Sequence, residues 1–105
     1  MDHKQVEDYI LSMPNAVLDY PFGKEVAVYK VHDHMFALVA EGSNPVRLSL
    51  KCDPQLAVLL RDKYESVMLG YHLNKKHWNT VILTGQLPWE EVQGLIRHSY
   101  ELVAG

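Results

Sequence analysis

Val46-Arg47-Leu48-Ser49-Leu50-Lys51, followed at once by Cys52-Asp53-Pro54, is the stretch whose reading decides the fold. Apolar and polar residues alternate through its first six positions. Successive side chains of a strand point to opposite faces, so Val46, Leu48 and Leu50 share one face and Arg47, Ser49 and Lys51 the other. That pattern belongs to an antiparallel sheet with one buried and one wet face. Asp53-Pro54 then reads as a helix start, with a capping carboxylate followed by proline at the first helical position. Leu56, Leu59, Leu60 and Lys63 mark one face of this helix to about Tyr64.

Toward the N-terminus, residues 26–31 (Val-Ala-Val-Tyr-Lys-Val) are β-branched and aromatic and read as a strand. His32-Asp33-His34 is a turn, and residues 35–40 form a second strand, making a hairpin. Glu41-Gly42-Ser43-Asn44-Pro45 is a strong turn cluster. Val6, Tyr9, Ile10 and Met13 recur at helical spacing, so residues 3–13 predict an amphipathic helix, capped by Asp2 and stopped by Pro14-Asn15. Toward the C-terminus, residues 66–69 read as a short strand and residues 79–84 as another. Gly85 begins a turn. Pro88 opens a last helix, where Glu90 and Glu91 complement the helix dipole and Val92, Leu95, Ile96 and Ser99 share a face.

The predicted order is α-β-β-β-α-β-β-α. The short connections between strands favour antiparallel pairing. One antiparallel sheet covered by helices satisfies this order, a two-layer α+β sandwich spanning residues 1–105 as a single domain. The length of 105 residues suits one core.

Charge and cysteine usage narrow the function classes. The net charge of −3 argues against a strongly basic nucleic-acid binder. The charges are uneven, however. Residues 1–20 carry one Lys against four acids, residues 21–80 carry eight Lys/Arg against six acids, and residues 81–105 carry one Arg against three acids. The middle is mildly basic, which leaves room for a locally positive face. Cys52 is the one cysteine, which fits a reducing compartment. The N-terminus lacks a signal-peptide pattern and no apolar run approaches a membrane span, so a cytoplasmic protein without membrane partners is expected.

The richest chemistry lies in His72-Leu73-Asn74-Lys75-Lys76-His77-Trp78-Asn79, which holds two imidazoles, two ammoniums, two amides and an indole and no acid. Such a segment suits an anion: Lys supplies charge, Asn and Trp supply donors, and Trp78 offers a stacking face. The plainer reading is a loop anchored in the core by Trp78 and Leu73 with its polar residues facing water. Together with Arg47 and Lys51, the residues His72, Asn74, Lys75, Lys76, His77 and Trp78 are the candidates for contacting nucleic acid or a small anion. His32-Asp33-His34 resembles a metal-binding tract, but a stable site needs three or four ligands and no matching cluster accompanies it. No metal or other cofactor is therefore expected. Cys52 would need a nearby histidine to act as a nucleophile, and no local signature provides one. Paired-carboxylate, phosphate-loop and nucleophile-elbow patterns are absent, so no catalytic residues are assigned.

Gly70-Tyr71-His72-Leu73-Asn74-Lys75-Lys76-His77-Trp78-Asn79-Thr80-Val81 resembles the signature of the MmcQ/YjbR family of small bacterial proteins. Leu48-Ser49-Leu50-Lys51-Cys52-Asp53-Pro54, Gly85-Gln86-Leu87-Pro88, Ser99-Tyr100 and Asp19-Tyr20-Pro21-Phe22-Gly23 are similar to the family's flanking patterns. The resemblance implies a frataxin-like (CyaY-like) α+β sandwich and, by fold analogy, a double-wing DNA-binding role. It brings no catalytic residues with it. Nor does it bring iron binding, because the first helix offers only Asp2, Glu7 and Asp8. The expectation is a non-enzymatic binding module contacting DNA weakly and salt-dependently through the wet sheet face and the loop 75–78. The alternative is a domain for a small anionic ligand or a protein partner, built on the loop 72–78.

Overall fold

The computed structural model describes residues 1–70 and 73–105. Among them three helices and six strands follow one another as α1 (His3–Leu11), β1 (Val17–Asp19), β2 (Val26–Val31), β3 (His34–Ala40), β4 (Arg47–Lys51), α2 (Pro54–Lys63), β5 (Val67–Leu69), β6 (Trp78–Ile82) and α3 (Trp89–Ala104). The strands form one antiparallel sheet in the order β1-β2-β3-β4-β6-β5. The fold is α+β, as the patterning predicts, with one short strand added. β1 escapes the sequence because all three of its residues are exposed and carry no alternation. Its pairing with β2 defines it. No helix of the described residues is long and apolar enough to cross a membrane.

The helices cover one face. Val6 and Ile10 of α1 and Val92 and Ile96 of α3 meet Tyr29, Phe36, Val39, Leu48 and Val81 in the main core. The predicted caps form: Asp2 accepts from the Gln5 N–H at 2.8 Å, and Asp53 accepts from the N–H groups of Gln55 and Leu56. His32 and Asp33 both have positive φ, the signature of a two-residue hairpin turn that matches strand twist.

β3 contains a bulge. Tyr29 opposes Ala37 and Lys30 opposes Met35, so Phe36 is an extra residue in the ladder. Phe36 and Ala37 consequently both enter the main core although they are consecutive.

Two expectations change. The buried face of α2 is not the one marked by Leu59, which is 64% exposed. Ala57 is the fully buried residue, with Leu60 and Tyr64 packed beside it. The cause is a close approach: the Asn79 amide of β6 donates to the Ala57 carbonyl at 3.1 Å, and a small side chain suits that contact. The second change concerns the outer sheet face, which is not uniformly wet. Val28, Leu38 and Trp78 are buried there and form a separate apolar cluster with Val26, Met35 and Leu73 packed against it. β2 and β3 are nearly continuous apolar runs, so they present apolar side chains to both faces.

An apolar cup on the open face of the sheet

The open face is organised in rows by strand register. Asp19, Val28, Leu38, Ser49, Thr80 and Met68 form one row across all six strands. A row nearer the other strand ends contains Val26 beside Ala40, and Arg47 beside Ile82. These two rows floor a concave cup of about 330 Å³. Val26, Leu38 and Ala40 supply its apolar floor, and Arg47, Ser49 and Thr80 its polar side. Phe22, from the loop before β2, and Leu73, from the loop before β6, form walls. The volume lies at the lower end of the range for small-ligand pockets.

The polar lining consists of donors and hydroxyls, with no carboxylate. The Ser49 and Thr80 hydroxyls are 2.8 Å apart and share one hydrogen bond. One hydroxyl hydrogen of the pair is left over for another acceptor. Ser49 and Arg47 are two residues apart on one strand face, which separates them by roughly 7 Å along the strand. Among the described residues no carboxylate lies within ion-pair distance of Arg47. The other cation on this face toward β1 is already engaged: Lys30 Nζ lies 3.2 Å from the Asp19 carboxylate. The Tyr20 backbone N–H and then Lys30 hold that carboxyl below its ordinary pKa.

The YjbR family model matches residues 11–102. This chain belongs to the YjbR family. It is 37% identical over 101 residues to the Escherichia coli K12 protein YjbR, described as uncharacterized, covering 96% of this chain and 86% of that one. It is 35% identical over 101 residues to YbdF of Escherichia coli O157:H7, also described as uncharacterized, covering 96% and 83%. The crystal structure of the Deinococcus radiodurans protein DR2400 is similar with a TM-score of 0.92 at 40% identity, covering 96% of this chain and 77% of that one. A crystal structure of a Pseudomonas syringae protein is similar with a TM-score of 0.83 at 32% identity, covering 98% and 99%.

The YjbR signature segment reaches the cup through Leu73 and Thr80. Asn74 is a turn former: its side-chain oxygen accepts from the Lys76 N–H at 2.9 Å, and its carbonyl accepts from the His77 and Trp78 N–H groups. Lys75 and Lys76 are exposed on that turn. His77 is half-buried, and its carbonyl accepts from the Cys52 N–H at 2.8 Å. Trp78 is buried opposite Lys51, at the end of β4 away from Arg47. Arg47 and Lys51 are therefore separated by about 13 Å along the strand and do not share a site. Tyr71 and His72 lie outside the described residues, and with them the role considered for His72.

Sequence reasoning missed Phe22, Val26, Leu38, Ala40, Leu73 and Thr80 as cup residues. The available signal was the second apolar set within β2 and β3, Val26/Val28 and Leu38/Ala40 at spacing two. Both sets being apolar meant that something had to cover the supposedly wet face.

The nucleophile considered earlier is poorly placed. Cys52 is buried, and that burial, with the neighbouring Asp53 carboxylate adding to it and Arg61 opposing it, pushes the thiol pKa up to about 11. At neutral pH it is a protonated thiol. His98 is occupied nearby, its Nε2 accepting from the Asp53 N–H at 3.1 Å. Among the described residues no group of three His, Cys, Asp or Glu could hold a metal ion.

Proposed function

We propose that this YjbR-family protein is a non-enzymatic binding module whose small ligand seats in the open-face cup. The observation that carries this reading is a preformed concavity whose floor is apolar and whose polar groups gather on one side. Binding sites have that anatomy: apolar surface supplies affinity and a few polar groups supply orientation. The hydroxyls of Ser49 and Thr80 hydrogen-bond to each other and, among the described residues, not to a base, which suits recognition better than nucleophilic attack. A cytoplasmic location belongs to the same reading, since its one thiol is free.

A fragment titration followed by two-dimensional amide NMR tests it. Shifts concentrated at Leu38, Ser49, Leu73 and Thr80, and abolished by filling the cup with Ala40→Phe, are the expected result. Shifts scattered over the surface, or unaffected by Ala40→Phe, would overturn the proposal.

A nucleic-acid reading is favoured by one observation, the exposed pair Lys75 and Lys76 on the rim loop, with Arg47 exposed on the sheet. If Arg47, Lys51, Lys75 and Lys76 each neutralise one phosphate, the log–log salt slope is about −3.6 and affinity falls roughly a hundredfold between 50 and 200 mM salt. Anisotropy titrations with short single- and double-stranded DNA at those two salt concentrations measure it. Affinity that ignored salt would sink this version.

A further inference from the structure

From the cup's polar chemistry we infer its ligand class: an amphiphilic monocarboxylate, with its carboxylate on Arg47 and its apolar body over Leu38, Val26 and Ala40. This rests on the reading of the cup as the binding site and adds the chemistry of what it takes.

The argument is one of charge and size. Arg47 is the cation among the described cup-lining residues, and no acid faces it from that lining. A guanidinium without an acidic partner among the described residues, on an apolar rim, favours an anion, and its planar fork matches the two oxygens of a carboxylate. The remaining hydroxyl hydrogen of the Ser49–Thr80 pair offers a further donor toward the same side of the cup. Arg47 and one hydroxyl of the Ser49–Thr80 pair therefore offer donors toward a ligand acceptor. A ligand cation would meet Arg47 repulsion, and among the described cup-lining residues Arg47 has no second cation beside it to match a phosphate dianion, Lys51 standing at the far end of β4 beside Trp78.

The apolar side limits the body. A volume of about 330 Å³ accommodates roughly ten water-sized groups. That suits a medium-length alkyl chain or a single aromatic ring. Phe22 is 63% exposed at the rim, so a bound chain would cover apolar surface that is otherwise left in water.

Octanoate, 1-octanol and octylamine share a chain and differ in their head groups, so they separate the class from the site. The experiment titrates each into the full chain and into Arg47→Gln and Ala40→Phe, following amide shifts at Ser49 and Thr80. Thermal melts check that both variants remain folded. The expected result is octanoate binding at least tenfold tighter than octanol, octylamine weakest, the octanoate preference lost in Arg47→Gln, and all binding lost in Ala40→Phe. Octanol matching octanoate in the cup would overturn the carboxylate inference while leaving the cup as a binding site. So would octylamine binding tightest. Failure of all three to shift the cup residues would overturn the inference and the site together.

Discussion

The Ser99 hydroxyl donates to the Phe36 carbonyl in the middle of the main core. The same hydroxyl accepts from the Lys51 N–H at 2.9 Å. Phe36 is the bulge residue of β3, where the ladder between β2 and β3 is interrupted. Ser99, fully buried on α3, thus supplies from a helix a partner for backbone at an irregular point of the sheet. Ser99→Ala would leave the part-buried Lys51 N–H and the buried Phe36 carbonyl each short of a partner. A loss of about 2–6 kcal/mol is expected, at roughly 1–3 kcal/mol for each unsatisfied group. Urea unfolding of the two proteins measures it, and an unchanged midpoint would contradict the bridge.

The two glycines Gly70 and Gly94 predict opposite outcomes. A Cβ on Gly70 would lie 2.8 Å from Trp78 Cβ and 3.1 Å from its carbonyl oxygen. Gly70→Ala should therefore cost about 1–3 kcal/mol through overpacking. At Gly94, inside α3, a Cβ would meet only the end of the Arg97 side chain, at an ordinary 3.6 Å. Gly94→Ala should stabilise by about 0.5–1 kcal/mol, because it restricts the unfolded chain and suits the helix. Thermal melts of both variants distinguish these signs.

Asn79 joins α2 to the sheet. It is buried, receives a hydrogen bond from Arg61 Nη1 at 2.7 Å, and donates to the Ala57 carbonyl at 3.1 Å. Asn79→Ala should destabilise by about 2 kcal/mol, since it strands a charged donor and a carbonyl. Hydrogen exchange would report faster opening in α2 than in α1. Equal acceleration in both helices would argue that the anchor acts globally.

Cys52 gives a pH dependence with a definite sign. Its folded pKa is raised to about 11 from an ordinary value of about 9. The folded state therefore holds the proton more tightly than the unfolded state. The associated stability is fully present below pH about 9 and is lost as pH rises through about 11. Iodoacetamide at pH 8 should alkylate the folded protein much more slowly than the urea-unfolded one, because only the thiolate attacks. Removing the thiol with Cys52→Ala should abolish this component of the alkaline loss of stability. Rapid labelling of the folded protein at pH 8 would contradict the burial of the thiol.

The amino-acid sequence by itself determined the helix starts, the alternation of β4 and the antiparallel α+β class. Asp2 and Asp53 cap because a carboxylate one residue before a helix meets N–H groups two or three positions on, a purely local geometry. The alternation of residues 46–51 is likewise local, a period of two within one strand. The family signature is also legible there, and so is the plainer reading of it as a loop seated by Trp78, which is buried, while Asn74 forms the turn. Only the tertiary structure decided what the open face carries. Leu38, Ser49 and Thr80 lie in one row because three strands pair in a particular register, and they are separated in sequence by up to 42 residues. Register depends on which strands meet and how turns and bulges offset them, and no period within a single strand encodes it. Arg47 was visible from the start as an outward cation. That it stands at the edge of an apolar cup, while Lys51 stands with Trp78 at the other end, follows from the pairing of β4 with β3 and β6.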